Sequence, residues 1–371
     1  MSRSKERLYH LDLIRFVAAL YVVFYHYGFR GFNADNMSNL QLGEIEFFSK
    51  YGYLGVDLFF IISGFVILMS AMNSNIVSFI ISRISRLYPA YWICIVLTAV
   101  VMLFWGGAQY SVTPYVFLSN LTMLNGFFNI EYVDGVYWSL LVELKFYILI
   151  GALLLFRKLK YLEPAIYVWL AISIYFLIAS QTTQWNVVLS VINFFLIPTW
   201  CSYFVAGMLF FLILKDGNIK GRIFPLSICL GLSLAYSTVK LDILTERFGD
   251  VFSPLVVYLL IIGFYILFFL ISIKKLGIFN KPIYLKVGML TYPLYLLHQN
   301  IGYIIFNNLE GSVNRYLLFA LVIILMVYCS YIISSKLEKP MRLGIKNKLE
   351  KSYWIRKAGL YLKAENTKQM S

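Results

Sequence analysis

The 371-residue sequence predicts an all-α polytopic membrane protein with about ten transmembrane helices, both termini in the cytoplasm and no soluble domain. Three observations carry that expectation. Hydrophobic residues make up 60% of the chain and charged residues only 13%, with a mean hydropathy of +0.75; a soluble domain is nearer half apolar and a quarter charged. Ten apolar runs are each long enough to cross a bilayer, which takes about 20 residues. With the N-terminus inside, 25 of the 32 Lys and Arg fall on the cytoplasmic side against five outside, the asymmetry that orients membrane proteins.

The first run, 11–30, carries Asp12 and Arg15 and is followed by no small-residue cleavage site, so it is a retained span and not a secretory signal. The others are 53–72, 89–106, 136–156, 161–180, 187–214, 223–239, 251–273, 287–306 and 315–335. The sixth has 28 residues and contains Pro198, which predicts a kink or a tilt. Residues 107–135 are partly apolar but too short to span, which suits a re-entrant or interfacial helix on the outer side. The membrane domain is expected over 1–340, with a basic cytoplasmic tail over 341–371 whose amphipathic stretch from Tyr353 to Leu362 suits the inner leaflet.

The net charge of +14 sits in short loops and the tail, so topology accounts for it and nucleic acid is not an expected partner. Cys94, Cys201, Cys229 and Cys329 lie in apolar runs without a CxxC or Cys/His cluster, so no disulfide framework and no metal site is expected.

Ionisable side chains inside spans are costly and point to function. Arg15 and His26 are eleven residues apart, about three full helical turns, which puts them on one face roughly 16 Å apart. Arg15 can equally be an interfacial anchor paired with Asp12. Counted from the outer ends of their spans, His26, Asp57, Glu143 and His298 lie roughly 6, 8, 10 and 12 Å deep; four such residues in one layer point to a site. Lys145 is a further charge within a span. Arg83 and Arg86, i,i+3 before Tyr88-Pro89, are either ordinary inner-loop charges or a cradle for phosphates, to which guanidinium forks are suited.

The segments LDLIRFVAALYVVFYH (11–26), GYLGVDLFFIISGF (52–65), RISRLYPAY (83–91), WSLLVELKFY (138–147) and TYPLYLLH (291–298), with the late Glu338-Lys339-Pro340, occur in an order and spacing that resembles the acyltransferase-3 family of membrane O-acyltransferases. The resemblance runs through most of the chain; Thr291 stands where Ser is common, and the esterase-like domain fused to some members is not in this sequence. It implies a ten-helix core in the inner (cytoplasmic) membrane. The implied reaction moves an acyl group, normally acetyl, from cytoplasmic acyl-CoA to a sugar hydroxyl of a cell-surface or exported glycan. Acetyl-CoA or another acyl-CoA would be a donor substrate and not a resident cofactor; a glycan or lipid-linked saccharide would be the acceptor, and lipids the surroundings.

On that basis Arg15, Arg83 and Arg86 are expected to hold the CoA phosphates. His26 is expected to act as general base or acyl-carrying nucleophile. Glu143 is expected to hydrogen-bond and charge-stabilise the His26 imidazole, directly or through one water, as an acid does in a triad. Asp57, Trp138, Ser139, Tyr295 and His298 are expected to position substrates, although Trp138 equally suits an aromatic-belt anchor. Ser63 and Gly64 are expected to serve close helix packing. A transporter or lipid-linked sugar flippase would also use intramembrane carboxylates and histidines, but the sequence has no matched halves with paired broken helices.

Overall fold

The computed structural model describes residues 7–33, 36–156, 158–182 and 187–352. Thirteen helices frame it: α1 (Tyr9–Tyr25), α2 (Leu54–Ala71), α3 (Ile76–Trp105), α4 (Pro114–Asn120), α5 (Trp138–Leu155), α6 (Leu162–Thr182), α7 (Val187–Leu196), α8 (Pro198–Asp216), α9 (Lys220–Phe248), α10 (Pro254–Ser272), α11 (Thr291–Leu309), α12 (Arg315–Ile332) and α13 (Lys339–Lys351). Among the described residues, nine segments are long and apolar enough to cross a membrane, and they coincide with nine of the ten expected runs. The remaining run is α11. Its 19 residues include His298, Gln299 and Asn300, which lower its apolarity, and these are buried against α1, α3 and α12. A helix that meets protein on all sides tolerates polar groups that lipid would not. The chain is a multi-pass membrane protein.

Close packing sets the frame. A Cβ on Gly64 in α2 would lie 2.1 Å from the Phe204 carbonyl oxygen in α8, and one on Gly207 in α8 would lie 2.0 Å from the Ile61 carbonyl oxygen. The two backbones therefore touch, the small-residue contact by which helices associate where lipid supplies no hydrophobic drive.

The sixth run breaks where Pro198 predicts. Ile197 takes φ +43°, a conformation a β-branched residue rarely adopts, and separates α7 from α8. Neighbours hold both sides of the break: Trp169 Nε1 donates to the freed Leu196 carbonyl at 2.6 Å and Ser173 Oγ donates to the Pro198 carbonyl at 2.7 Å.

Residues 107–135 form a re-entrant segment. Tyr88 Oη, Tyr91 Oη and Trp92 Nε1 on α3 donate to the carbonyls of Thr122, Asn120 and Leu121, at 2.8, 2.8 and 2.9 Å. Trp92 is thirteen residues from the end of α3 at Trp105, about 20 Å along the axis, so the segment turns back along α3 by that length.

Two boundaries differ from expectation. The third span begins at Ile76, where the Asn75 side chain caps it by accepting from Ser78 N–H at 2.9 Å, and Pro89 lies inside the helix. Arg83 and Arg86 are thus not in a loop: they stand about 10 and 15 Å into α3. At the other end, a π-helical turn, Ile333–Glu338, leads into α13, which runs across the expected 340/341 boundary. The stretch from Tyr353 to Leu362 lies outside the described residues.

Candidate active site

Arg15 of α1 and Arg83 and Arg86 of α3 line one cavity together with Ser63, Glu143 and Tyr147. Including its open mouth it encloses about 800 Å³ of space. Three guanidinium groups line it with one carboxylate, so its lining carries an excess of positive charge. Glu143 is fixed through Oε1, which accepts from Ser63 Oγ at 2.7 Å and from Tyr147 Oη at 2.5 Å. The Tyr147 ring in turn lies 5.9 Å from the Arg83 guanidinium, whose Nη2 donates to Ser82 Oγ at 2.9 Å. Thr291 and Tyr292 also line the cavity, their hydroxyls buried and without a hydrogen-bond partner among the described residues.

At its far end the cavity closes on Ser139 and Tyr295, whose hydroxyls are 2.6 Å apart. One turn further along α11 is His298, and here the imidazoles of His298 and His26 meet, with His298 Nε2 3.1 Å from His26 Nδ1.

Backbone carbonyls settle which ring nitrogens carry protons, because a carbonyl oxygen only accepts. His298 Nδ1 faces two of them, Leu294 at 3.1 Å and Tyr295 at 2.8 Å, so it is the N–H and Nε2 holds the lone pair. His26 Nδ1 faces the Val22 carbonyl at 2.9 Å, so it too carries the proton, shared between Val22 O and His298 Nε2. This leaves His26 Nε2 with the lone pair, the tautomer a base or nucleophile needs. Arg30 Nη1 donates toward that lone pair at 3.3 Å across a π-helical turn, His26–Arg30, a local widening that recurs at functional sites. The far side of His298 is fixed as well: Tyr27 Oη donates to its carbonyl at 2.5 Å, and the Asn300 N–H donates to Asp134 Oδ2 at 3.0 Å.

The expected residues thus form two groups joined at Tyr295. Arg15, Arg83, Arg86, Glu143, Ser139 and Tyr295 share the cavity, while His26 and His298 form the pair beyond it. Five expectations are corrected. Glu143 does not hydrogen-bond His26: its partners are Ser63 and Tyr147, and those of His26 are Val22, Arg30 and His298. Asp57 does not line the cavity; its Oδ2 faces Lys240 Nζ at 3.7 Å, and Lys240 also lies 4.4 Å from the centre of the Tyr53 ring. Trp138 packs against the Trp200 ring at 5.4 Å and is also outside the cavity lining. Asp12 pairs with Arg7 at 3.3 Å and not with Arg15. Ser63, expected to serve packing, instead donates to Glu143, and Gly64 alone makes the close contact. Lys145 lies 3.3 Å from the centre of the Phe194 ring.

Arg30, Tyr147 and Asp134 were not singled out by the sequence. Arg30 and Tyr147 each lie four residues after a candidate, His26 and Glu143, and that spacing is a usable signal. Asp134 gave none, because it acts through the backbone of a distant segment.

Comparison with known proteins places this geometry. The family model described as an acyltransferase domain matches residues 8–335. Nodulation protein 10 of Rhizobium leguminosarum bv. viciae is 29% identical over 171 residues, covering 41% of this chain and 46% of that protein. ORF330 of Acidianus two-tailed virus, whose name describes an acetyltransferase, is 23% identical over 293 residues, 77% of this chain and 80% of its own length. Peptidoglycan O-acetyltransferase OatA of Listeria monocytogenes serovar 1/2a is 26% identical over 173 residues, 41% of this chain and 25% of OatA. The match thus spans under half of the nodulation protein and a quarter of OatA. No solved structure matches the chain.

Proposed function

The chain belongs to the acyltransferase-3 family, and from that premise we propose that it is a membrane O-acyltransferase moving acetyl from cytoplasmic acetyl-CoA to a sugar hydroxyl of an exported or cell-surface glycan. The observation that carries this is the placement of two residues on one helix. Arg15 lines a three-arginine cavity, and His26, eleven residues on, presents an unprotonated Nε2 beyond the cavity's closed end.

CoA is a phosphorylated nucleotide on a long arm. Arg15, Arg83 and Arg86 hold its phosphates as guanidinium forks, and the unpartnered Thr291 and Tyr292 hydroxyls meet its polar arm. Glu143, fixed by Ser63 and Tyr147, spaces the arginines from within the cavity and does not act on His26. The arm runs toward Tyr295, and the thioester reaches the histidine pair when the Ser139–Tyr295 contact opens. There His26 Nε2 takes the proton of the acceptor hydroxyl, or first takes the acyl group itself. His298 Nε2 accepts the hydrogen bond from His26 Nδ1–H and so stabilises the imidazolium that forms. The lysine- and arginine-rich loops support a cytoplasmic opening for the arginine cavity, in the inner membrane. The peptidoglycan named for OatA supports a glycan acceptor.

Inverted membrane vesicles bearing the protein, given acetyl-CoA labelled in the acetyl group, test this. Label is expected to enter the glycan fraction with wild-type protein, and none with His26→Ala. No label above protein-free vesicles would overturn the proposal.

A further inference from the structure

We propose that Arg30 and Tyr303 form the oxyanion-stabilising site of the acyl transfer. The inference rests on the function proposed above and adds to it two groups with no other assigned role. Arg30 Nη1 lies 3.3 Å from His26 Nε2, the nitrogen on which the tautomer argument places the lone pair. Arg30 makes no ion pair among the described residues. Tyr303, on α11 about one and a half turns past His298, is fully buried with its ring 6.5 Å from that of His26, and its hydroxyl has no hydrogen-bond partner among the described residues. A buried hydroxyl left unpaired costs free energy. A guanidinium with donors uncommitted among the described residues, beside a lone pair, and an unpaired buried hydroxyl on a ring packed near the same imidazole form a pair of donors waiting for a negative oxygen.

The chemistry needs such a pair. His26 Nε2 removes the acceptor O–H proton as that oxygen bonds to the thioester carbonyl carbon, and the C=O π pair moves onto the carbonyl oxygen. Collapse returns that pair, the C–S bond breaks, and the thiolate takes the proton from Nε2–H to leave CoA as the thiol and the acceptor as the ester. Attack by Nε2 itself passes through the same negative oxygen. Next to Nε2, that oxygen lies within reach of Arg30, which gives up its contact with the lone pair as the substrate arrives. Donors already in place, in a site without bulk water, stabilise the developing charge without reorganisation.

Arg30→Gln, Arg30→Lys and Tyr303→Phe test the assignment in the same labelled vesicle assay. Arg30→Gln is expected to lower kcat by about 100- to 1,000-fold and Tyr303→Phe by about tenfold, with KM for acetyl-CoA changed less than about twofold, since the groups act on the transition state. Arg30→Lys keeps the charge and is expected to recover part of the loss, and added guanidinium ion to rescue Arg30→Ala. Acetyl-CoA binding by each variant, followed by thermal shift, separates loss of catalysis from loss of folding. If the wild type transfers acetyl and Arg30→Gln keeps more than half its kcat, or loses activity only through KM, this assignment fails while the acyltransferase proposal stands. If the wild type transfers none, the proposal beneath it fails.

Discussion

His26 and His298, from the first and eleventh helices, share one proton: His26 Nδ1–H points at His298 Nε2 at 3.1 Å and also at the Val22 carbonyl at 2.9 Å. Two acceptors for one N–H mean that losing either leaves the tautomer intact but the ring less firmly held. His298→Ala is therefore expected to lower kcat by about tenfold, well short of the loss in His26→Ala, and His298→Gln, which restores an acceptor, should recover part of it. Equal and complete loss in both histidine variants would show that His298 does more than hold its neighbour.

Glu143 and His298 stand in separate groups, one inside the arginine cavity and one beyond its end. Groups without shared partners contribute independently. Glu143→Gln and His298→Ala should each lower kcat/KM for acetyl-CoA, and the double variant should show roughly the product of the two losses. A double variant no worse than its more damaged parent would mean that the two act as a unit.

The three cavity arginines bind by planar, forked donation and not by charge alone. Arg83→Lys and Arg86→Lys should each raise KM for acetyl-CoA by about tenfold while leaving kcat within a factor of two. Steady-state kinetics decide this, and full activity in the double lysine variant would remove the phosphate-fork role.

The backbone contact between α2 and α8 at Gly64 and Gly207 leaves no room for a side chain. Gly64→Ala is expected to destabilise the protein by about 1–3 kcal/mol and Gly64→Leu by more. The midpoint of thermal unfolding in detergent reports it; an unchanged midpoint would mean that the helices separate there without cost.

Much of the fold was legible because lipid and water impose strong patterns. Even the kink at Pro198 and the buried, polar α11 could be placed from composition and spacing. The candidate residues could be named too, and the structure brings several of them together: Arg15, Arg83, Arg86, Glu143, Ser139 and Tyr295 line one cavity, and His26 meets His298 beyond it. Their pairings were not legible. Proline before an apolar run reads as a helix start, yet Pro89 lies inside α3, and moving that start to Ile76 carries Arg83 and Arg86 to the level of Glu143. The rotation of α5 and α11 about their axes decides whether Glu143 or His298 faces His26, and near-uniform apolarity along membrane helices leaves no stripe from which to read it.

The central claim is that the arginine cavity delivers a thioester to His26. A structure of the protein with acetyl-CoA bound, taken with the Ser139→Ala variant so that the contact with Tyr295 is weakened, tests it most directly. The account predicts the CoA phosphates on Arg15, Arg83 and Arg86 and the thioester carbon within roughly 3.5 Å of His26 Nε2, or of an acceptor hydroxyl that Nε2 contacts. Acetyl-CoA bound at the opposite end of the bundle, or with its thioester remote from both histidines, would contradict it.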